Sequence, residues 1–164
     1  MKQSRKHRMK KNLLMKTILL TTMGTYLCAG AFDDFKKSCN AGDAVACSNI
    51  GILYDRGQGV EQDYTKAMQF YKRSCDMGYA GGCYNVGIMY EQGEGIKPNY
   101  TKSAQYYTKA CDGKYVKGCS NLGLMYAKGL GVKRNFSKAK KLWNKACADG
   151  HDTACKNYDI LNDK

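Results

Sequence analysis

Apolar residues recur along this chain in two alternating helical registers. In the stretch AVACSNIGILYDR, residues 44–56, Ala46, Ile50 and Leu53 fall at i, i+4 and i+7, with Cys47, Gly51 and Tyr54 beside them. That spacing predicts a helix with one apolar face. Gly57-Gln58-Gly59 then breaks it, and Asp63 can cap a second helix by accepting from its orphan N–H groups. The second helix carries Ala67, Phe70, Tyr71 and Ser74 on one side, and Gly78 marks its end.

The same pattern returns every 36 residues, so that units 44–79, 80–115 and 116–151 align without a gap. Glycine recurs inside the first helix as Gly51, Gly87 and Gly123. A helical glycine costs about 1 kcal/mol against alanine, so its recurrence predicts close approach of a neighbouring helix. A partial unit at 32–43 opens the series, and a capping helix at 152–164 closes it. In the closing segment Asp159 stands where the full units have glycine. The expected fold is all-α, an α/α solenoid of helix pairs in which stacking supplies the core that no single pair can build.

Cysteine follows the same period. Cys39, Cys75, Cys111 and Cys147 form one series, and Cys47, Cys83, Cys119 and Cys155 the other. Each C-x₇-C spans the turn between a second helix and the next first helix. The pairing that repeats with the helices is Cys39–Cys47, Cys75–Cys83, Cys111–Cys119 and Cys147–Cys155. Each such bridge closes a short loop worth about 2–3 kcal/mol in the chain-entropy model. Zinc would want closer spacing or more histidine, and a redox site would prefer C-x-x-C. Neither a metal nor a cofactor is expected.

The first 31 residues differ from the rest. Lys2 to Lys16 holds seven basic residues and no acid, an apolar run with Ile18-Leu19-Leu20 follows, and Ala29-Gly30-Ala31 offers a small-x-small exit. This arrangement predicts a signal peptide over 1–31, with Met9 and Met15 as alternative starts to Met1. Cleavage there removes Cys28 and leaves eight cysteines, an even number suited to a disulfide framework in a secreted or periplasmic protein.

The run AVACSNIGILYDRGQGV, followed by DYTKAMQFYKRSCDMG, resembles the Sel-1-like repeat, a relative of the tetratricopeptide repeat. With C-x₇-C at every junction, the chain from 32 to 164 is similar to the Helicobacter cysteine-rich proteins. That resemblance implies an exported superhelix of disulfide-locked repeats. It also implies penicillin binding with weak β-lactamase activity, and roles at the host interface. It carries no catalytic motif that transfers residue by residue.

Candidate chemistry is sparse. Ser137-Lys138-Ala139-Lys140 is an S-x-x-K, which would set Lys140 one turn from a Ser137 nucleophile, as a serine β-lactamase needs. Ser137, however, aligns with Thr65 and Thr101, Lys140 aligns with Met68 and Ala104, and the chain holds no S-D-N or K-T-G. Asn49, Asn85, Asn121 and Asn157 recur two residues after a junction cysteine. They either line the concave face and bind amide or sugar groups, or satisfy backbone groups in the turns. The recurring tyrosines, with Trp143, read as core with exposed edges.

Charge adds one feature. The whole chain carries +13, but from 116 to 164 ten basic residues face four acids. Lys138, Lys141 and Lys145 share a helix face there, which either attracts an anion or is simply solvated. The expected partner is a β-lactam, a peptidoglycan fragment, or a protein or peptide on the concave face. Nucleic acid is not expected, membrane contact is limited to export, and the protein reads as a monomer. The competing class is a non-catalytic interaction scaffold.

Overall fold

The computed structural model describes residues 30–162. The predicted leader lies almost wholly outside them. Helix α1 (30–40) is followed by α2 (Ala44–Arg56), α3 (Tyr64–Asp76), α4 (Ala80–Gln92), α5 (Tyr100–Asp112), α6 (Val116–Lys128), α7 (Phe136–Ala148) and α8 (Asp152–Asn162). Each helix packs on its neighbours in sequence, and α2 also touches α4. The architecture is an α/α solenoid, with α2, α4 and α6 as first helices and α3, α5 and α7 as second helices.

Local chemistry sets the helix boundaries. Gly57, Gly93 and Gly129 end the first helices in the left-handed conformation, at φ of 65°, 78° and 73°. Their N–H groups return to Leu53, Met89 and Met125, which satisfies carbonyls the helix leaves open. Asp63, Asn99 and Asn135 start the second helices, each accepting from a backbone N–H three residues on at 2.9 Å.

One boundary differs from the expectation. Gly78 and Gly150 hold the left-handed position after α3 and α7, but Lys114 holds it after α5, at φ 63°. Gly113 sits one place too early for that role. A Cβ at Gly113 would come 2.6 Å from Cβ of Ala80, so this glycine admits a neighbouring helix instead.

The helical glycines explain how the pairs close. A Cβ on Gly51 would lie 2.5 Å from the Tyr71 ring, on Gly87 2.6 Å from Tyr107, and on Gly123 2.6 Å from Trp143. Each bare backbone thus receives the aromatic side chain of the second helix in its own repeat. Tyr71, Tyr107 and Trp143 are buried accordingly. Asp159, the residue at this register in α8, is exposed. The core therefore runs as a series of small clusters along the stack, not as one central mass.

Disulfides join the repeats. Cys39–Cys47, Cys75–Cys83, Cys111–Cys119 and Cys147–Cys155 are bonded, with Cα separations of 4.7, 4.6, 4.5 and 4.7 Å. The first three are buried, and the last is half-exposed. No helix among the described residues is long and apolar enough to cross a membrane.

Candidate functional site

The first helices carry a cleft of ≈ 340 Å³, within the range of small-ligand sites. Ser48, Asn49, Ile52, Asp55 and Arg56 of α2 form one wall, and Gly81, Tyr84, Asn85 and Ile88 of α4 the other. Tyr71 reaches in from α3. Tyr79 and Tyr115 border the cleft from the turns before α4 and α6, and Lys117 from the first turn of α6. The helical period puts residues 48, 52 and 55 of α2 on one side, and residues 81, 84, 85 and 88 of α4 on theirs.

Asn49 and Asn85 therefore share this cleft. The Asn85 amide donates to the Ser48 hydroxyl at 3.4 Å. Asn121, one repeat on, does not line it. Its side chain instead adjoins the hydroxyls of Tyr84 and Tyr107. The cleft is polar and aromatic, with cations at Arg56 and Lys117 and one carboxylate at Asp55.

Burial governs the titratable groups here. Desolvation raises the Asp55 carboxyl above the usual range, against the opposing pull of the Tyr71 hydroxyl and the Arg56 charge. The Tyr71 hydroxyl donates to Asp55 at 3.4 Å. Burial, then the Asp55 carboxylate, pushes Tyr71 well above the normal phenol range. Tyr107 is raised in the same way by burial and by its bond to Glu91, at 2.5 Å. Glu94 is raised by burial and then by the charge of Asp55.

The basic residues picked out in the sequence stand elsewhere, on α7. Lys138 places its ammonium 5.1 Å from the centre of the Tyr126 ring. Lys66 over Tyr54 and Lys102 over Tyr90 repeat the contact at 5.2 and 5.3 Å. Lys138 is thus the third member of a cation–π series that holds the start of each second helix to its first helix. Lys145 Nζ donates to the Cys111 carbonyl at 3.5 Å, as Arg73 donates to Cys39 at 3.0 Å. Both cations rest at the C-terminal end of the preceding second helix, where the dipole favours positive charge. Lys141 is exposed, and none of the three lines the cleft.

Ser137 is exposed in the first turn of α7. The Lys140 ammonium lies 5.6 Å from the centre of the Tyr158 ring, and no hydrogen bond joins it to Ser137 among the described residues. No group of three His, Cys, Asp or Glu side chains able to hold a metal occurs among the described residues.

Sequence reasoning missed Asp55, Arg56, Tyr79, Tyr84, Tyr115 and Lys117 as cleft residues. Tyr84 carried a signal, because it breaks the repeat: Ser48 and Ser120 occupy its register in the other units.

These features define a class: helix-pair repeats of fixed length, stacked through bare helical glycines and joined at each junction. The Sel1 repeat model matches residues 44–79, 80–115 and 116–151, and the chain belongs to the Sel1 repeat family. Among solved structures it is similar to Helicobacter pylori cysteine-rich protein B, at 30% identity and a TM-score of 0.63, over 76% of this chain and 95% of that one. A Sel1 repeat protein from Oxalobacter formigenes matches at 29% identity and TM-score 0.73, over 75% of this chain and 49% of that one. A protective antigen present in uropathogenic Escherichia coli strains matches at 26% identity and TM-score 0.79, over 82% of this chain and 29% of that one. The chain thus spans half or less of the latter two proteins. No curated protein matches it in sequence.

Proposed function

We propose that this protein is an exported, disulfide-stapled scaffold whose first-helix cleft binds a short, carboxylate-bearing peptide segment. The observation that carries the reading is the pair Asn49 and Asn85 on adjoining helices of one cleft, with Arg56 and Lys117 at its margin. Two side-chain amides side by side offer donors and acceptors that match a peptide backbone, and the cations suit its carboxylate. The tyrosines supply amphipathic walls. The four bridges suit an oxidising compartment, in line with the leader read over 1–31.

A β-lactam also combines an amide with a carboxylate, so penicillin belongs among the ligands to test. Support for its hydrolysis rests on family resemblance alone. The Ser137 and Lys140 pair stands on α7, away from the cleft.

The test is titration of the oxidised, exported protein with a peptidoglycan stem peptide and with penicillin, beside Asn49→Ala, Asn85→Ala and Ser137→Ala. Peptide binding weakened about tenfold by either asparagine change, as the loss of one or two hydrogen bonds implies, supports the reading. Binding indifferent to both asparagines overturns it. Penicillin turnover abolished by Ser137→Ala would replace it with a β-lactamase.

A further inference from the structure

The repeats make the same pocket twice and fill it once. Ser48, Tyr71, Tyr79 and Asn85 line the open cleft. One period on, the same registers hold Tyr84, Tyr107, Tyr115 and Asn121. Three of the four residues keep their type, and only Ser48 becomes Tyr84. The Tyr84 ring stands 5.7 Å from that of Tyr107 and 4.9 Å from that of Tyr115, centre to centre. It therefore occupies the space that a serine leaves open between Tyr71 and Tyr79. Asn85 donates to the Ser48 hydroxyl, and at the same register one repeat on Asn121 stands beside the Tyr84 hydroxyl.

We propose that Tyr84 is a specificity-determining residue, a plug that ends the ligand groove after one repeat interval and takes Asn121 out of the binding surface. This rests on the reading that the cleft holds a peptide. Packed helices lie about 8–10 Å apart. An extended chain advances about 3.3–3.6 Å per residue. One interval then reads roughly three residues, and removal of the plug adds roughly three more.

The test uses mixed-sequence tripeptide and hexapeptide pools with free carboxylates, with the asparagine side-chain amides followed by NMR. In the wild type the two pools bind equally, and the amides of Asn49 and Asn85 respond while that of Asn121 does not. Tyr84→Ser installs the residue of the other repeats but also trims one wall of the first cleft, so the two pools are read against each other. It makes the hexapeptide pool bind about tenfold more tightly than the tripeptide pool and brings the Asn121 amide into the response. Tyr84→Phe keeps the ring and keeps the wild-type length preference. Ser48→Tyr closes the first cleft and abolishes binding of both pools, which tests the plug even if Tyr84→Ser fails to fold. An unchanged length preference in folded Tyr84→Ser, or an Asn121 response in the wild type, overturns the proposal. If neither pool binds the wild type, the peptide reading fails, and amide exchange of Asn121 judges the plug separately. Exchange faster in Tyr84→Ser supports it, and equal exchange overturns it.

Discussion

Alanine at Gly87 puts two general expectations in direct conflict. In an exposed helix, Gly→Ala stabilises by about 1 kcal/mol through backbone entropy. Here the new methyl would stand 2.6 Å from the Tyr107 ring, well inside ordinary carbon contact. Tyr107 has no exposed surface, and its hydroxyl is tied to Glu91, so the ring has little room to retreat. Overpacking of a filled core costs about 1–3 kcal/mol. Disturbing the hydroxyl's bond to Glu91 adds about 1 kcal/mol. With the propensity gain deducted, Gly87→Ala should lower stability by about 1–3 kcal/mol. Denaturant titration of the oxidised protein, followed by circular dichroism, measures this. A second variant isolates the cause: in a Tyr107→Leu background, where the ring is gone, Gly87→Ala should be neutral or stabilising. A stabilising Gly87→Ala in the wild-type background would refute the reasoning, because the ring would then move aside at no cost.

Lys114 occupies a backbone conformation that disfavours side chains, so Lys114→Gly should gain about 0.5–1 kcal/mol once glycine's own entropy is deducted, seen as a higher Tm. Cys147–Cys155 is the least buried bridge, so limiting reductant with thiol trapping and mass spectrometry should open it before the three buried ones. Burial holds Tyr107 protonated above the pH at which an unfolded tyrosine ionises. Its contribution is complete below about pH 10 and falls as pH rises beyond that, so Tm should drop less steeply between pH 9 and pH 11 in Tyr107→Phe than in the wild type.

The helices and their boundaries were legible in the sequence because each is written several times over. Gly57, Gly93 and Gly129 repeat one C-cap, and Asp63, Asn99 and Asn135 repeat one N-cap. The exception at Lys114 was hidden, because Gly113 looks like the missing stop and instead makes room for Ala80. The cleft was less legible for the opposite reason. It depends on what differs between repeats, and on neighbours 30 or more residues apart. Asn49, Asn85 and Asn121 look equivalent along the chain, yet Tyr84 separates the third from the first two. A run of lysines likewise suggests one patch, while Lys138 and Lys145 are each engaged with a particular neighbour. The periodic set Lys66, Lys102 and Lys138, standing twelve residues after Tyr54, Tyr90 and Tyr126, was the available clue.

The placement of the bridges also decides where a protease can do harm. Residues 76–82 lie between Cys75 and Cys83, and the corresponding stretches lie between the other bonded pairs. A cut inside any of them leaves the two sides covalently joined and the stacked helices in place. A cut in the glycine turns at 57–63, 93–99 or 129–135 falls between bridges and severs the chain. In the presence of a protease, the lifetime of this protein therefore depends on how tightly three short glycine turns are held, and Gly95 against Tyr64 and Gly131 against Tyr100 are the contacts that press two of them onto the repeat before.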